Sequence, residues 1–110
     1  AGGKWDAIGM SLYPDTSDWQ AYDQEIAANM KDMISRYGTD VVVSEAGMDW
    51  EQGSTAKAML SELTGEVKAL GSHGLGVFYW EPDAYPGWQG YTLGAVNNDG
   101  QLTEALDAFK

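Results

Sequence analysis

Apolar positions alternate with small or polar ones along Asp6-Ala7-Ile8-Gly9-Met10-Ser11-Leu12-Tyr13 and stop at Pro14-Asp15, which predicts a strand running into a loop. A helix capped by Ser17 or Asp18 is predicted next. Trp19, Tyr22, Ile26, Met30, Met33, Ile34 and Tyr37 recur largely at threes and fours, and Gly38 supplies the stop. Val41-Val42-Val43-Ser44-Glu45-Ala46 is β-branched and continuously apolar at its start, so a strand covered on both faces, as in a parallel sheet, is expected. Ser54 or Thr55 then caps a second helix with the stripe Met59, Leu60, Leu63, Val67 and Leu70, ended by Gly71 and Gly74. Leu75-Gly76-Val77-Phe78-Tyr79-Trp80 reads as a third strand, broken at Pro82. After it come an aromatic loop with Tyr85, Pro86, Trp88 and Tyr91, a turn at Asn97-Asn98-Asp99-Gly100, and a short helix carrying Leu102, Leu106 and Phe109.

The strands begin near Asp6, Val41 and Leu75, 35 and then 34 residues apart, close to the length of one strand-helix unit. The chain is therefore read as α/β, with successive βα units and parallel strands. Right-handed crossovers between strands in chain order put every helix on one side of the sheet and leave the other side bare. Further strands closing a (β/α)₈ barrel could cover it, as could a second copy of the chain or a reordered doubly wound topology. A barrel takes about 250 residues, so 110 residues make up well under half of one.

Charge narrows the partners. Six Lys and Arg against 17 Asp and Glu give a formal charge of −11, which excludes a basic nucleic-acid binder and disfavours anionic membranes. No apolar run approaches the roughly 20 residues that cross a bilayer. Ala1-Gly2-Gly3-Lys4-Trp5 has neither an initiator Met nor an apolar signal core, so the chain is expected to be part of something longer. The absence of Cys removes disulfides, thiolate metal sites and Cys nucleophiles.

In parallel α/β sheets the carboxyl ends of the strands hold the site. Here they carry Tyr13, Glu45 and Trp80-Glu81, and the loops beyond add Asp49, Trp50, Asp83, Tyr85, Trp88 and Tyr91. Carboxylates among flat rings suit glycoside chemistry, because rings stack on sugar faces and a carboxylate stabilises or attacks an oxocarbenium-like centre. Glu45 is the leading candidate, against the alternative of a solvated strand-end carboxylate. Strict period-two alternation puts it on the face of Val41 and Val43, opposite Ser44. Glu81 ends the neighbouring strand at a lateral spacing of about 4.8 Å, near the ~5–5.5 Å carboxyl separation of retaining glycosidases, which makes Glu45 with Glu81 a second possible pairing. Trp50, Trp80 and Trp88 are either sugar platforms or packing residues, and Trp19 belongs to the core stripe. His73 is expected in a surface loop at the amino end of the third strand. Asn97-Asn98-Asp99-Gly100 lacks the spaced acidic ligands of a calcium loop and reads as a turn, and no metal or cofactor is expected.

Asp6-Ala7-Ile8-Gly9-Met10-Ser11-Leu12-Tyr13-Pro14, Val41-Val42-Val43-Ser44-Glu45 and Gly74-Leu75-Gly76-Val77-Phe78-Tyr79-Trp80-Glu81-Pro82 together resemble strands six, seven and eight of glycoside hydrolase family 53, the endo-β-1,4-galactanases. The resemblance implies the C-terminal part of a (β/α)₈ barrel and a retaining endo-hydrolase of β-1,4-galactan or arabinogalactan. It implies that Glu45 is the nucleophile. It also implies that Trp80 lies under the sugar at the cleavage point, often joined by a non-proline cis peptide to the next residue, here Glu81, and that Tyr13 supports the nucleophile. The family's acid/base Glu, in an Asn-Glu pair ending strand four, has no counterpart in this chain. Some members bind calcium in a long loop after strand seven, but the segment from Gly47 to Gly53 is short.

The reading that results is a barrel portion carrying Glu45 as nucleophile and Tyr13, Trp50, Trp80, Glu81 and Trp88 as sugar contacts. A galactan-type polysaccharide is its partner, and the parent is extracellular or periplasmic by analogy. The bare sheet face is expected to be covered by the missing N-terminal barrel portion or by self-association. A non-catalytic carbohydrate-binding module and a self-associating α/β fragment are the alternatives.

Overall fold

The computed structural model describes residues 2–110. Its sheet has the order β1-β2-β3, with β1 at Ala7–Leu12, β2 at Asp40–Ala46 and β3 at Gly74–Tyr79. Both pairings are parallel. Helix α1, Trp19–Tyr37, links β1 to β2, and α2, Gly53–Ala69, links β2 to β3. Three parallel strands in chain order with a helix between each pair form the βα construction of part of a (β/α)₈ barrel.

One core lies between the sheet and the helices. Ile8, Met10 and Leu12 of β1, Val41, Val43 and Ala46 of β2, and Val77 and Tyr79 of β3 meet Ile26 and Met30 of α1 and Met59, Leu60, Leu63 and Val67 of α2. Met30, Met59, Leu60 and Leu63 have no exposed surface, and burial of each side chain contributes about 1.5–3 kcal/mol. The opposite face is bare within this chain: Leu75 is 56% and Phe78 64% exposed. Val42 is only partly buried there and Ser44 is exposed, so β2 is covered on one face rather than two.

Local chemistry explains where the elements end. Gly38 closes α1 in the left-handed conformation, donating its N–H to the Ile34 carbonyl at 2.8 Å. Asp18 precedes α1 without a side-chain cap bond. The α1 stripe is narrower than its sequence suggests: Tyr22 and Tyr37 are exposed, Tyr37 sits edge-on to Trp5 with centroids 5.8 Å apart, and Asp23 is fully buried. Neither Ser54 nor Thr55 caps α2. A 3₁₀ turn at Trp50–Gln52 runs into the helix, and Asp49 caps that turn by accepting from the Glu51 N–H at 2.9 Å.

The chain end also differs from expectation. Glu104–Phe109 forms a 3₁₀ helix that buries Ala105, whereas Leu102 lies outside it, bridged antiparallel to Val96 and exposed. Asn97 organises the preceding turn, its side-chain oxygen accepting from the Asp99 and Gln101 N–H groups at 2.9 Å each. The Trp80–Glu81 peptide is trans, and the chain turns there through a positive φ of 52° at Glu81.

Candidate functional site

The register of β1 on β2 decides which way Glu45 points. Gly9 lies opposite Val42 and Met10 opposite Val43, but the next pair is Ser11 with Glu45, followed by Leu12 with Ala46. Ser44 is thus an extra residue in β2. The ladder to β3 loses step at the same place, since Val43 pairs with Val77 and Ala46 with Tyr79. Met10, Val43, Leu12 and Ala46 all belong to the core between sheet and helices. Glu45 pairs with exposed Ser11 and therefore stands on the bare face. Simple alternation, which would put Glu45 with Val41 and Val43, fails because a β-bulge shifts the phase by one residue.

At the carboxyl end of the sheet, the Tyr13 hydroxyl donates to Glu45 Oε2 at 2.9 Å. Burial and the neighbouring Glu45 carboxylate push the Tyr13 phenol far above its ordinary titration range, so it remains a protonated donor at physiological pH. Gly47 makes room for this arrangement. A Cβ there would stand 3.0 Å from the Leu93 carbonyl oxygen and 3.3 Å from Tyr13 Cε1.

Two further tyrosines brace the aromatic loop, and their roles were not apparent from sequence. The Tyr79 hydroxyl lies 2.9 Å from the Leu93 carbonyl, 3.0 Å from that of Gly94 and 3.3 Å from that of Met48, so its single proton ties β3 to two loops. Burial is the main reason its titration is pushed up to about 12. Tyr91 donates to the Trp80 carbonyl at 2.9 Å and titrates above its ordinary value because of burial and the charges of Glu81 and Glu45.

Trp80 extends β3 by one bond, its N–H donating to the Ala46 carbonyl at 2.9 Å, and the residue is 46% exposed. Alternation from core-facing Tyr79 puts it on the same face as Glu45. Trp50 starts the 3₁₀ turn after β2 and donates its backbone N–H to the Thr92 carbonyl at 3.0 Å. Glu81 and Trp88 line a separate cleft of about 270 Å³ with Asp83, Ala84 and Tyr85. Glu81 is not paired with Glu45 across the strands: β3 ends at Tyr79, whose partner is Ala46, and Glu81 lies two residues beyond it at the positive-φ turn. The structure brings together Tyr13 and Glu45, with Tyr91 near enough to feel the charges of both Glu45 and Glu81.

His73 lies at the opposite pole, ahead of β3, its Nδ1 2.9 Å from an Asp40 carboxylate oxygen. Among the described residues no group of three His, Asp or Glu side chains is arranged to hold a metal ion. A carboxylate on the bare face that accepts a hydrogen bond from a phenol can serve as an oxygen nucleophile or as a stabiliser of positive charge on a sugar ring.

The family model described as Glycosyl hydrolase family 53 matches residues 1–109. Among curated proteins, "Uncharacterized protein in bgaB 5'region" of Niallia circulans is 28% identical over 126 aligned residues, covering 93% of this chain. The chain spans about a third, 34%, of that relative's length.

Proposed function

Because the chain belongs to glycosyl hydrolase family 53, we propose that it is the strand-six to strand-eight portion of a retaining endo-β-1,4-galactanase acting on β-1,4-galactan or arabinogalactan. In this reading Glu45 is the nucleophile. Its carboxylate attacks the anomeric carbon while an acid/base carboxyl, supplied by the part of the barrel outside this chain, protonates the departing glycosidic oxygen. The same group then takes a proton from the water that releases the sugar. Tyr13 orients the carboxylate through Oε2 and leaves Oε1 to the sugar, and Trp80 is the platform beneath the ring at the cleavage point. Trp50, Glu81 and Trp88 contact neighbouring sugar units. The parent is exported to where plant polysaccharide is found, outside the cell or in a periplasm. Its preceding barrel strands cover Leu75 and Phe78.

The observation that supports this most directly is the Tyr13–Glu45 hydrogen bond on the bare sheet face. A nucleophile without its acid partner loses leaving-group protonation, typically worth about 10²–10⁴-fold in rate, so this portion alone is expected to be inactive on galactan. The test is Glu45→Gln in the intact protein. Galactan turnover is expected to fall by at least ~10³-fold with the fold unchanged, and turnover at the unaltered rate would overturn the assignment.

A further inference from the structure

We infer that Ser44 is a positioning residue for Glu45: its side chain holds the β-bulge that carries the carboxylate from the core side of the sheet to the bare side. This inference rests on Glu45 being the nucleophile. The β1 ladder steps from Val43 to Glu45 and skips Ser44, and the β3 ladder loses step in the same stretch, between Val43 and Ala46. The Ser44 hydroxyl reaches across to β1 and donates to the Met10 carbonyl at 3.3 Å, at the point where the pairing slips. Gly9, on the adjoining strand, leaves the space this hydroxyl occupies, since a Cβ there would come within 3.0 Å of Ser44 Oγ and 3.4 Å of Ser44 Cβ.

A strand with hydrophobic residues at Val41, Val43 and the position after them would ordinarily keep regular pleat, and its next core-side residue would be Glu45. The bulge supplies the missing step, so Ala46 fills the core with no exposed surface and Glu45 is released from it. Bulges recur beside active sites because they re-aim one side chain without altering the rest of a sheet. The Ser44 hydroxyl makes a suitable polar clasp for such a bulge, since it bonds to backbone and is far smaller than a residue that would fill the barrel interior. A displacement of about 1 Å at a reacting group can cost ~10²-fold in rate, so loosening the clasp affects the chemical step more than sugar binding by the aromatic platforms.

The experiment compares Ser44→Ala, Ser44→Thr and Glu45→Gln in the intact protein, measuring kcat and KM on galactan and the thermal midpoint. Ser44→Ala is expected to lower kcat about ten- to a hundredfold with KM within about twofold. Ser44→Thr, which keeps the hydroxyl, is expected to restore kcat to within about threefold of the parent. Full kcat in Ser44→Ala, or a threonine variant no better than the alanine one, overturns the inference while a dead Glu45→Gln leaves the nucleophile assignment standing. Full turnover in Glu45→Gln overturns both. Should Ser44→Ala lack a cooperative melt, Ser44→Cys, of similar size and with a weak donor, is measured by the same criteria.

Discussion

Asp23 offers a stability experiment that does not depend on the enzymatic reading. It lies on α1 with no exposed surface, and neither of its carboxylate oxygens has a hydrogen-bond partner. Burial, with the nearby charges of Glu62 and Glu66 on α2, pushes its titration from 3.8 up to about 7. Lys31, on α1, pairs with Glu66 at 3.9 Å and so does not neutralise Asp23 itself. The folded state therefore binds a proton more tightly than the unfolded one. The favourable contribution is complete below the unfolded value near 3.8, declines as pH rises, and is gone once pH passes the folded value near 7. At about 1.4 kcal/mol per pH unit, this linkage amounts to on the order of 4 kcal/mol across the window. Asp23→Asn removes the titration at nearly constant volume. Plotted as variant minus wild type, the unfolding free energy from denaturant melts of the intact protein is expected to rise in favour of the variant between about pH 4 and pH 7 and to level off on both sides. A difference curve flat across that interval would refute the reasoning, and one sloping the other way would mean that Asp23 is paired.

Tyr13→Phe deletes a hydrogen bond to a charged acceptor and should lower kcat/KM on galactan by roughly ten- to a hundredfold with little change in thermal midpoint, corresponding to about 1.5–3 kcal/mol for such a bond. An unaltered kcat/KM would remove Tyr13 from the site. Gly47→Ala forces a methyl group against the Leu93 carbonyl and the Tyr13 ring, and about 1–3 kcal/mol of destabilisation is expected by denaturant unfolding. A midpoint unchanged from wild type would mean that the aromatic loop yields freely around it.

Much of the fold was legible because it follows from short-range periodicity. The α1 and α2 stripes, the β-branched start of β2 and the βα spacing are repeating local signals, and all five regular elements lie where those signals put them. The features that escaped depend on what each segment meets across the sheet. Asp49 displaces Ser54 and Thr55 as the cap because a 3₁₀ turn, invisible to helical periodicity, extends the helix backwards. Leu102 fits a helical stripe but is drawn into a bridge with Val96. Tyr79 and Tyr91 read as generic aromatics, since their function lies in carbonyls of Met48, Leu93, Gly94 and Trp80 that are distant in sequence or set by loop geometry.

Glu45 shows how one unread backbone irregularity can reverse the meaning of a correctly read strand. Its identity and its place at a strand end were visible, yet period two assigned it to the core side, where an ionised carboxylate among Val41, Val43 and Leu12 would be costly to bury. That cost is itself a signal. A Glu one step out of phase, preceded by a small hydroxyl residue and facing a Gly on the adjoining strand, is a pattern in which a bulge resolves the conflict between hydrophobic phase and charge. The observed register resolves it at Ser44, leaving the helix-facing layer wholly apolar at Val41, Val43 and Ala46 and freeing Glu45 to meet Tyr13. Faced with an acidic residue in the core phase of an otherwise regular strand, the sound inference from sequence is therefore a slip in the ladder, with the side chain on the opposite face.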